Sequence, residues 1–188
     1  MKKVIYLLRI GELNQSILSN LKKNLEDEFK EFNIKVEIFQ DVMKLKNSEY
    51  DAERKQYKAP KILKRLVEKV KIEDFFRILG ITDKDIYSKT YNFIFGIAGR
   101  GSNAALISLA RLRESFYDDI SVIYRRKEST RDFEVRILKE AIHELGHTFG
   151  LKHCYNVCVM RFSNSLADTD KKPVKFCASC LQSLKSNI

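Results

Sequence analysis

The chain contains three histidines, and all of them fall within one eleven-residue stretch, HELGHTFGLKH, from His143 to His153. His143 and His147 are four apart. On a helix that spacing stacks two side chains on one side, one turn apart, where neutral imidazoles can share a metal ion. Glu144 sits about 100° further round the helix, placed to reach a water at the metal without ligating it. Gly150 is suited to end the helix and turn the chain back, so that His153 can approach the same ion from outside. Three protein ligands leave a fourth position for water, the arrangement of catalytic rather than structural zinc. Zinc in such a site acidifies a bound water and polarises a carbonyl. With Glu144 as general base, and then as proton donor to a leaving amine, the chemistry is amide hydrolysis.

The four cysteines follow at once: Cys154, Cys158, Cys177 and Cys180. They form C-x-x-x-C and C-x-x-C pairs, the spacing of a closed tetrahedral zinc site. In extended chain, His153 and Cys154 point to opposite sides, so each can serve a different metal. The alternatives are a redox C-x-x-C and free structural thiols. Against the redox reading, Cys177-Ala-Ser-Cys180 lies near the C-terminus and follows no βα start of thioredoxin type.

The elements that must hold these residues are readable from periodicity. Lys3 to Ile10 is apolar and β-branched, a first strand. Asn14 to Phe32 carries Ile17, Leu18, Leu21, Leu25 and Phe29 at helical spacing. Ile34 to Phe39 alternates as a strand, and residues 40–58 read as polar and irregular. Pro60 opens a second helix running to Leu79 and stopping at Gly80. Tyr91 to Ala98 reads as a buried strand, and Gly96, Gly99 and Gly101 punctuate the turn after it. Ala104 to Leu112 reads as another strand, and Ile120 to Arg126 as extended. Ser129 with Asp132 fits a capping box for a third helix. Its core face is Phe133, Ile137, Ala141, Leu145 and Phe149, and Gly150 ends it. His143 and His147 lie roughly opposite that stripe. The last stretch, 151–188, lacks strong periodicity and is too small for its own core, so it needs a staple. The order implies an α/β or α+β fold with a mixed sheet.

Composition narrows the class. Hydrophobic residues make up 44%, with seven glycines and two prolines, which suits a globular chain. The formal net charge is +10. A basic balance can serve nucleic acid, an acidic partner or an anionic membrane, but the lysines around the second helix are spread rather than striped, as on a solvated face. Val4 to Leu8 is too short an apolar run for export, and no run approaches a membrane span. The expectation is a cytoplasmic protein whose cysteines stay reduced.

The extended motif with its three histidines and Gly150 resembles that of the metzincin zinc peptidases. His153-Cys154, Cys158-Val-Met160 and Cys177-Ala-Ser-Cys180 resemble one branch, the archaemetzincins, over residues 143–180. By that resemblance His143, His147 and His153 hold a catalytic zinc and Glu144 is the base. Cys154, Cys158, Cys177 and Cys180 hold a structural zinc, and Met160 is the methionine of a supporting turn beneath the histidines. The chain departs from the family in spacing: three residues rather than four separate Cys154 from Cys158, and sixteen rather than seventeen separate Met160 from Cys177. Three intervening residues still permit chelation.

The resemblance implies one peptidase domain, residues 1–188, with a sheet-containing upper lobe (1–150) and a zinc-stapled lower lobe (151–188) about a cleft. It also implies that an edge strand of the sheet binds an extended peptide, for which Ala104 to Arg111 is the candidate. The expected function is zinc-dependent peptide hydrolysis with two zinc ions per chain. The alternatives are a basic zinc-binding protein contacting nucleic acid, and a zinc protein that binds peptide with little turnover. Against nucleic acid, the tail lacks a zinc-finger arrangement and no aromatic-basic stacking motif is present.

Overall fold

The computed structural model describes residues 3–99, 101–120 and 129–188. Its strands are β1 (Val4–Ile10), β2 (Lys35–Met43), β3 (Tyr50–Asp51), β4 (Gln56–Lys58), β5 (Arg77–Thr82), β6 (Ile86–Tyr87), β7 (Gly96–Ala98) and β8 (Ala104–Ser108). Its α-helices are α1 (Gln15–Phe29), α2 (Ala59–Glu73), α3 (Thr130–Thr148), α4 (Leu166–Lys171) and α5 (Ala178–Asn187). The main sheet runs β2-β1-β5-β8-β7. Neighbours are parallel except β7, which is antiparallel to β8 at the edge. A small second sheet joins β3, β4 and β6.

The three central strands are buried on both faces, which explains their continuous apolar sequence. Alternate residues go to opposite sides. Ile5, Leu7, Leu79, Ile81, Ala105 and Ile107 meet α1 and α3 in one core. Leu8, Ile10, Ile78, Ala104 and Leu106 meet Ile62 and Leu66 of α2 in the other. Cys158, Val159, Met160 and Leu184 belong to the first core, so the segment after α3 packs against the sheet-bearing part of the molecule.

Three sequence expectations shift here. The second helix stops at Asp74, which takes the left-handed conformation (φ 51°) while its backbone N–H bonds Val70 O. The residues that would have extended it are the central strand β5. Helix and buried strand both present apolar runs, and periodicity alone does not separate them. Gly80 is thus no helix stop but a strand residue. A Cβ there would lie 2.7 Å from both Ile10 Cδ1 and Leu66 Cδ1, so its absence lets α2 sit close on the sheet. Tyr91 to Ala98 and Ala104 to Leu112 are strand only over β7 and β8, and Ala110–Leu112 is a 3-10 turn.

Residues 40–58 are also more ordered than expected, carrying the end of β2, a 3-10 turn and the β3–β4 pair. The tail holds two helices, α4 and α5, each too short to show a period. The expected extension over Ile120 to Arg126 falls, from residue 121 onward, outside the described residues. Among the described residues no helix is long and apolar enough to cross a membrane.

Gly80→Val should overpack the α2–sheet contact at a cost of about 1–3 kcal/mol. A melting temperature lowered by several degrees, with the circular dichroism spectrum unchanged, is the expected outcome.

Candidate functional site

Helix α3 carries the histidines, and its two ends are set by local chemistry. Ser129 Oγ accepts from Asp132 N at 3.1 Å, the N-cap half of the expected capping box, while Asp132 Oδ2 accepts from Ser129 Oγ at 2.7 Å. At the other end Gly150 adopts φ +87°, with Gly150 N bonded to His147 O and Leu151 N to Gly146 O, each at 3.0 Å. This is the Schellman arrangement, and it needs a residue tolerant of positive φ. The turn brings Leu151 O to 2.7 Å from His147 Nδ1. Val159 O lies 2.9 Å from His143 Nδ1.

A carbonyl can only accept, so both Nδ1 atoms carry the proton and each neutral ring presents a lone pair at Nε2. Those two Nε2 atoms are 3.1 Å apart. Two lone pairs so close repel unless a cation lies between them, and about 3.3 Å is the edge of a tetrahedron with zinc–nitrogen bonds. His153 completes the group, with ligand atoms of all three within 4.8 Å of one another. Burial lowers the proton affinity of His143 and His153, which favours the neutral, ligating form. The donor set fits zinc.

His143 is less exposed than its position opposite the core stripe implied. α3 is covered on both sides, by the sheet and α1 on one and by the following segment on the other, and His143 is 4% exposed. Met160 is fully buried, and a Cβ on Gly146 would lie 2.5 Å from its Sδ. The glycine inside the motif therefore lets Met160 reach the underside of the helix between the two histidines. Sequence reading assigned Gly146 no role.

Glu144 is buried, and its Oε2 has no hydrogen-bond partner among the described residues. Burial, reinforced by the Glu140 carboxylate, pushes its pKa well above the ordinary carboxylate range, while the Lys172 ammonium acts in the opposite sense. Its side chain packs against β7 at Gly96. A Cβ on Gly96 would come within 2.6 Å of Glu144 Cγ and 2.8 Å of its Oε1. Gly96, read from sequence as a turn residue, is the close contact between the edge strand and the acid.

The four sulfurs gather at a second point, with ligand atoms within 4.8 Å of one another and Cys154 Sγ 3.7 Å from Cys177 Sγ. A tetrahedral zinc–sulfur site has edges of about 3.8 Å. Cys158 Sγ also accepts backbone N–H groups from Met160 (3.4 Å) and Cys177 (3.2 Å), as suits a thiolate. The pKa of Cys177 is lowered to about 5, first by the Ser179 hydroxyl, while burial pushes those of Cys158 and Cys180 up. The donor set again fits zinc.

A cavity of about 940 Å³ lies over the histidines and is lined by β7, Glu144, and Phe162 of the following segment. The strand expected to bind peptide, Ala104 to Arg111, does not form its rim. β8 is hydrogen-bonded on both sides, to β5 and β7. The edge strand is β7, because the chain places β8 inside it, and strand order across a sheet is not written in chain order.

Elemental analysis of purified protein should find two zinc atoms per chain, one for each donor group. Cys158→Ser should lose one and melt lower, because the metal energy is folding energy there. His143→Ala should lose the other. Gly96→Ala should keep both zinc atoms yet reduce amide hydrolysis by about a hundredfold, by displacing the acid from its position.

Comparison with known proteins gives the same picture over nearly the whole chain. Residues 1–186 match the model of Peptidase family M54. The chain is 40% identical to an archaemetzincin of Pyrococcus furiosus, covering 100% of this chain and 95% of that relative. It is also 40% identical to one of Methanocaldococcus jannaschii, covering 94% and 89%. Among solved structures it resembles an archaemetzincin of Archaeoglobus fulgidus complexed with malonate, with a TM-score of 0.76, 35% identity and coverage of 96% and 99%. A zinc-dependent peptidase of Methanocorpusculum labreanum superposes with a TM-score of 0.80 at 26% identity, covering 96% and 99%. A match of this extent, joined to a histidine group and a cysteine group that each fit zinc, makes this chain a zinc metallopeptidase of Peptidase family M54, alongside the archaemetzincins.

Proposed function

We propose that His143, His147 and His153 hold the catalytic zinc, that Glu144 is the general base, and that Cys154, Cys158, Cys177 and Cys180 hold a structural zinc. The observation that supports this best is the pair of carbonyl-bound imidazoles aiming two Nε2 lone pairs at one point, 3.1 Å apart. Zinc held there supplies Lewis acidity, polarising a substrate carbonyl and acidifying water.

The chain's own residues do the rest. An extended peptide pairs with the outer edge of β7, whose main chain lines the cavity. Because Glu144 packs against Gly96 of that strand, its carboxylate lies beside a peptide paired there. Glu144 Oε2 takes a proton from water as the oxygen adds to the carbonyl carbon. When the C–N bond breaks, the same carboxyl returns the proton to the leaving nitrogen. A carboxyl with a raised pKa suits both halves, being a better base for water and still able to give the proton up. Met160 supports the histidines from below, and Gly150 returns the chain so that His153 reaches the group.

In this reading residues 1–188 work as one domain. An upper lobe (1–150) supplies the sheet and helix, and a lower lobe (151–188) supplies His153 and the cysteine staple. The substrates are peptides or proteins rather than nucleic acid, and the setting is a reducing cytoplasm that leaves four thiols available to metal.

Glu144→Ala should retain two zinc atoms and lower the hydrolysis of a quenched peptide library by about 10²–10⁴-fold or more. Turnover at the native rate in that variant would remove Glu144 from the mechanism.

A further inference from the structure

Beside the histidine group the cavity wall carries a feature that peptide hydrolysis does not require. Glu140, one turn before Glu144 on α3, and Lys172, just after α4, both line the cavity. Lys172 Nζ lies 3.3 Å from Glu140 Oε2, and the two side chains are 1% and 6% exposed. Removing two charges from water is costly, and an apolar pair of similar size fills such a wall at no such cost. A charged pair facing a cavity is therefore a feature with a use to be found.

The pair is held in place from outside. Lys139 Nζ bonds Thr169 O (3.0 Å) and Asp170 O (2.9 Å), carbonyls in the last turn of α4. Arg136 Nε bonds Asp170 Oδ1 at 2.6 Å. These contacts tie α4 to α3 and leave the Lys172 ammonium at the wall rather than in solvent.

An ammonium has three N–H donors, and the contact with Glu140 uses one. With the imidazoles neutral and a divalent cation among them, positive charge at this wall outnumbers the two carboxylates. Lys152 at the rim adds to it. An incoming anion is drawn to such a wall, and a carboxylate can accept the remaining Lys172 donors.

We propose that Lys172, braced by Glu140, forms a subsite for a carboxylate of the substrate, an acidic side chain or a free C-terminus next to the scissile bond. This rests on the histidine group holding zinc, as described under the proposed function. The subsite makes an acidic or C-terminal residue the preferred neighbour of the cleaved amide.

The test uses zinc-loaded full-length protein and three linear hydroxamates of equal length, ending in a carboxylate, a methyl or an ammonium group. The hydroxamate anchors each probe at the histidine group, and calorimetry reads the difference made by the far end. The carboxylate-ended probe should bind about tenfold or more tighter than the methyl-ended one. Lys172→Met should erase that advantage. The double variant Glu140→Lys/Lys172→Glu keeps an ion pair and should turn the preference toward the ammonium-ended probe, with zinc content and melting temperature showing that it folds. Equal binding of the carboxylate and methyl probes, or preference of the native protein for ammonium, overturns the subsite and leaves the zinc site standing. Failure of all three probes to bind overturns the zinc-site reading and the subsite with it.

Discussion

Two backbone carbonyls govern this molecule's chemistry. Val159 O and Leu151 O each receive an Nδ1 proton, and by doing so they turn the Nε2 lone pairs of His143 and His147 to one point. Neither carbonyl belongs to α3. Leu151 O is delivered by the left-handed turn at Gly150, and Val159 O by a segment that leaves the helix, passes the first cysteine pair and returns. That segment is tied by Cys154 N to Met160 O and Val159 N to Lys175 O, both at 3.0 Å. The cysteine group anchors the same loop at both sides. A metal held by the cysteines would thus bear on the histidine group through a carbonyl one residue from Cys158.

The same arrangement explains why α3 is buried without a break from Lys139 to Gly146. One face carries Phe133, Ile137 and Ala141 into the core with α1 and the sheet. The other carries Arg136, Lys139, Glu140, His143 and Glu144, which are buried polar groups and would destabilise the fold if unpaired. Arg136 answers Asp170 and Glu114, Lys139 answers the carbonyls ending α4, and Glu140 answers Lys172. Of these, Glu144 is the one with a fully buried side-chain oxygen that has no partner among the described residues. A carboxylate left unsatisfied in a packed setting is suited to work on a water or an amine, since nothing must be displaced first.

Space matters as much as charge. Gly80 admits α2 to the sheet, Gly96 admits Glu144 to the edge strand, and Gly146 admits Met160 beneath the histidines. All three have ordinary φ, so none is there for backbone freedom. Gly150 differs, because its positive φ is what reverses the chain.

The sequence by itself determined what depends on near neighbours. The four-residue spacing of His143 and His147, the cap at Ser129, the stop at Gly150 and the paired cysteines are local patterns, and each holds in the structure. Tertiary structure decided everything that depends on residues far apart in the chain. Periodicity merged β5 into α2, since a strand buried on both faces has no polar rhythm to betray it. Chain order placed the edge at Ala104 to Arg111, whereas the sheet inserts β8 between β5 and β7. Sequence pattern gave Gly96 only a turn and gave Gly146, Glu140 and Lys172 no part, because their roles consist of distances to Glu144, Met160 and each other. A spacing rule reaches one helical turn, while a cleft is made where elements far apart in the chain, from Ser88 to Lys172, are pressed together by a common core.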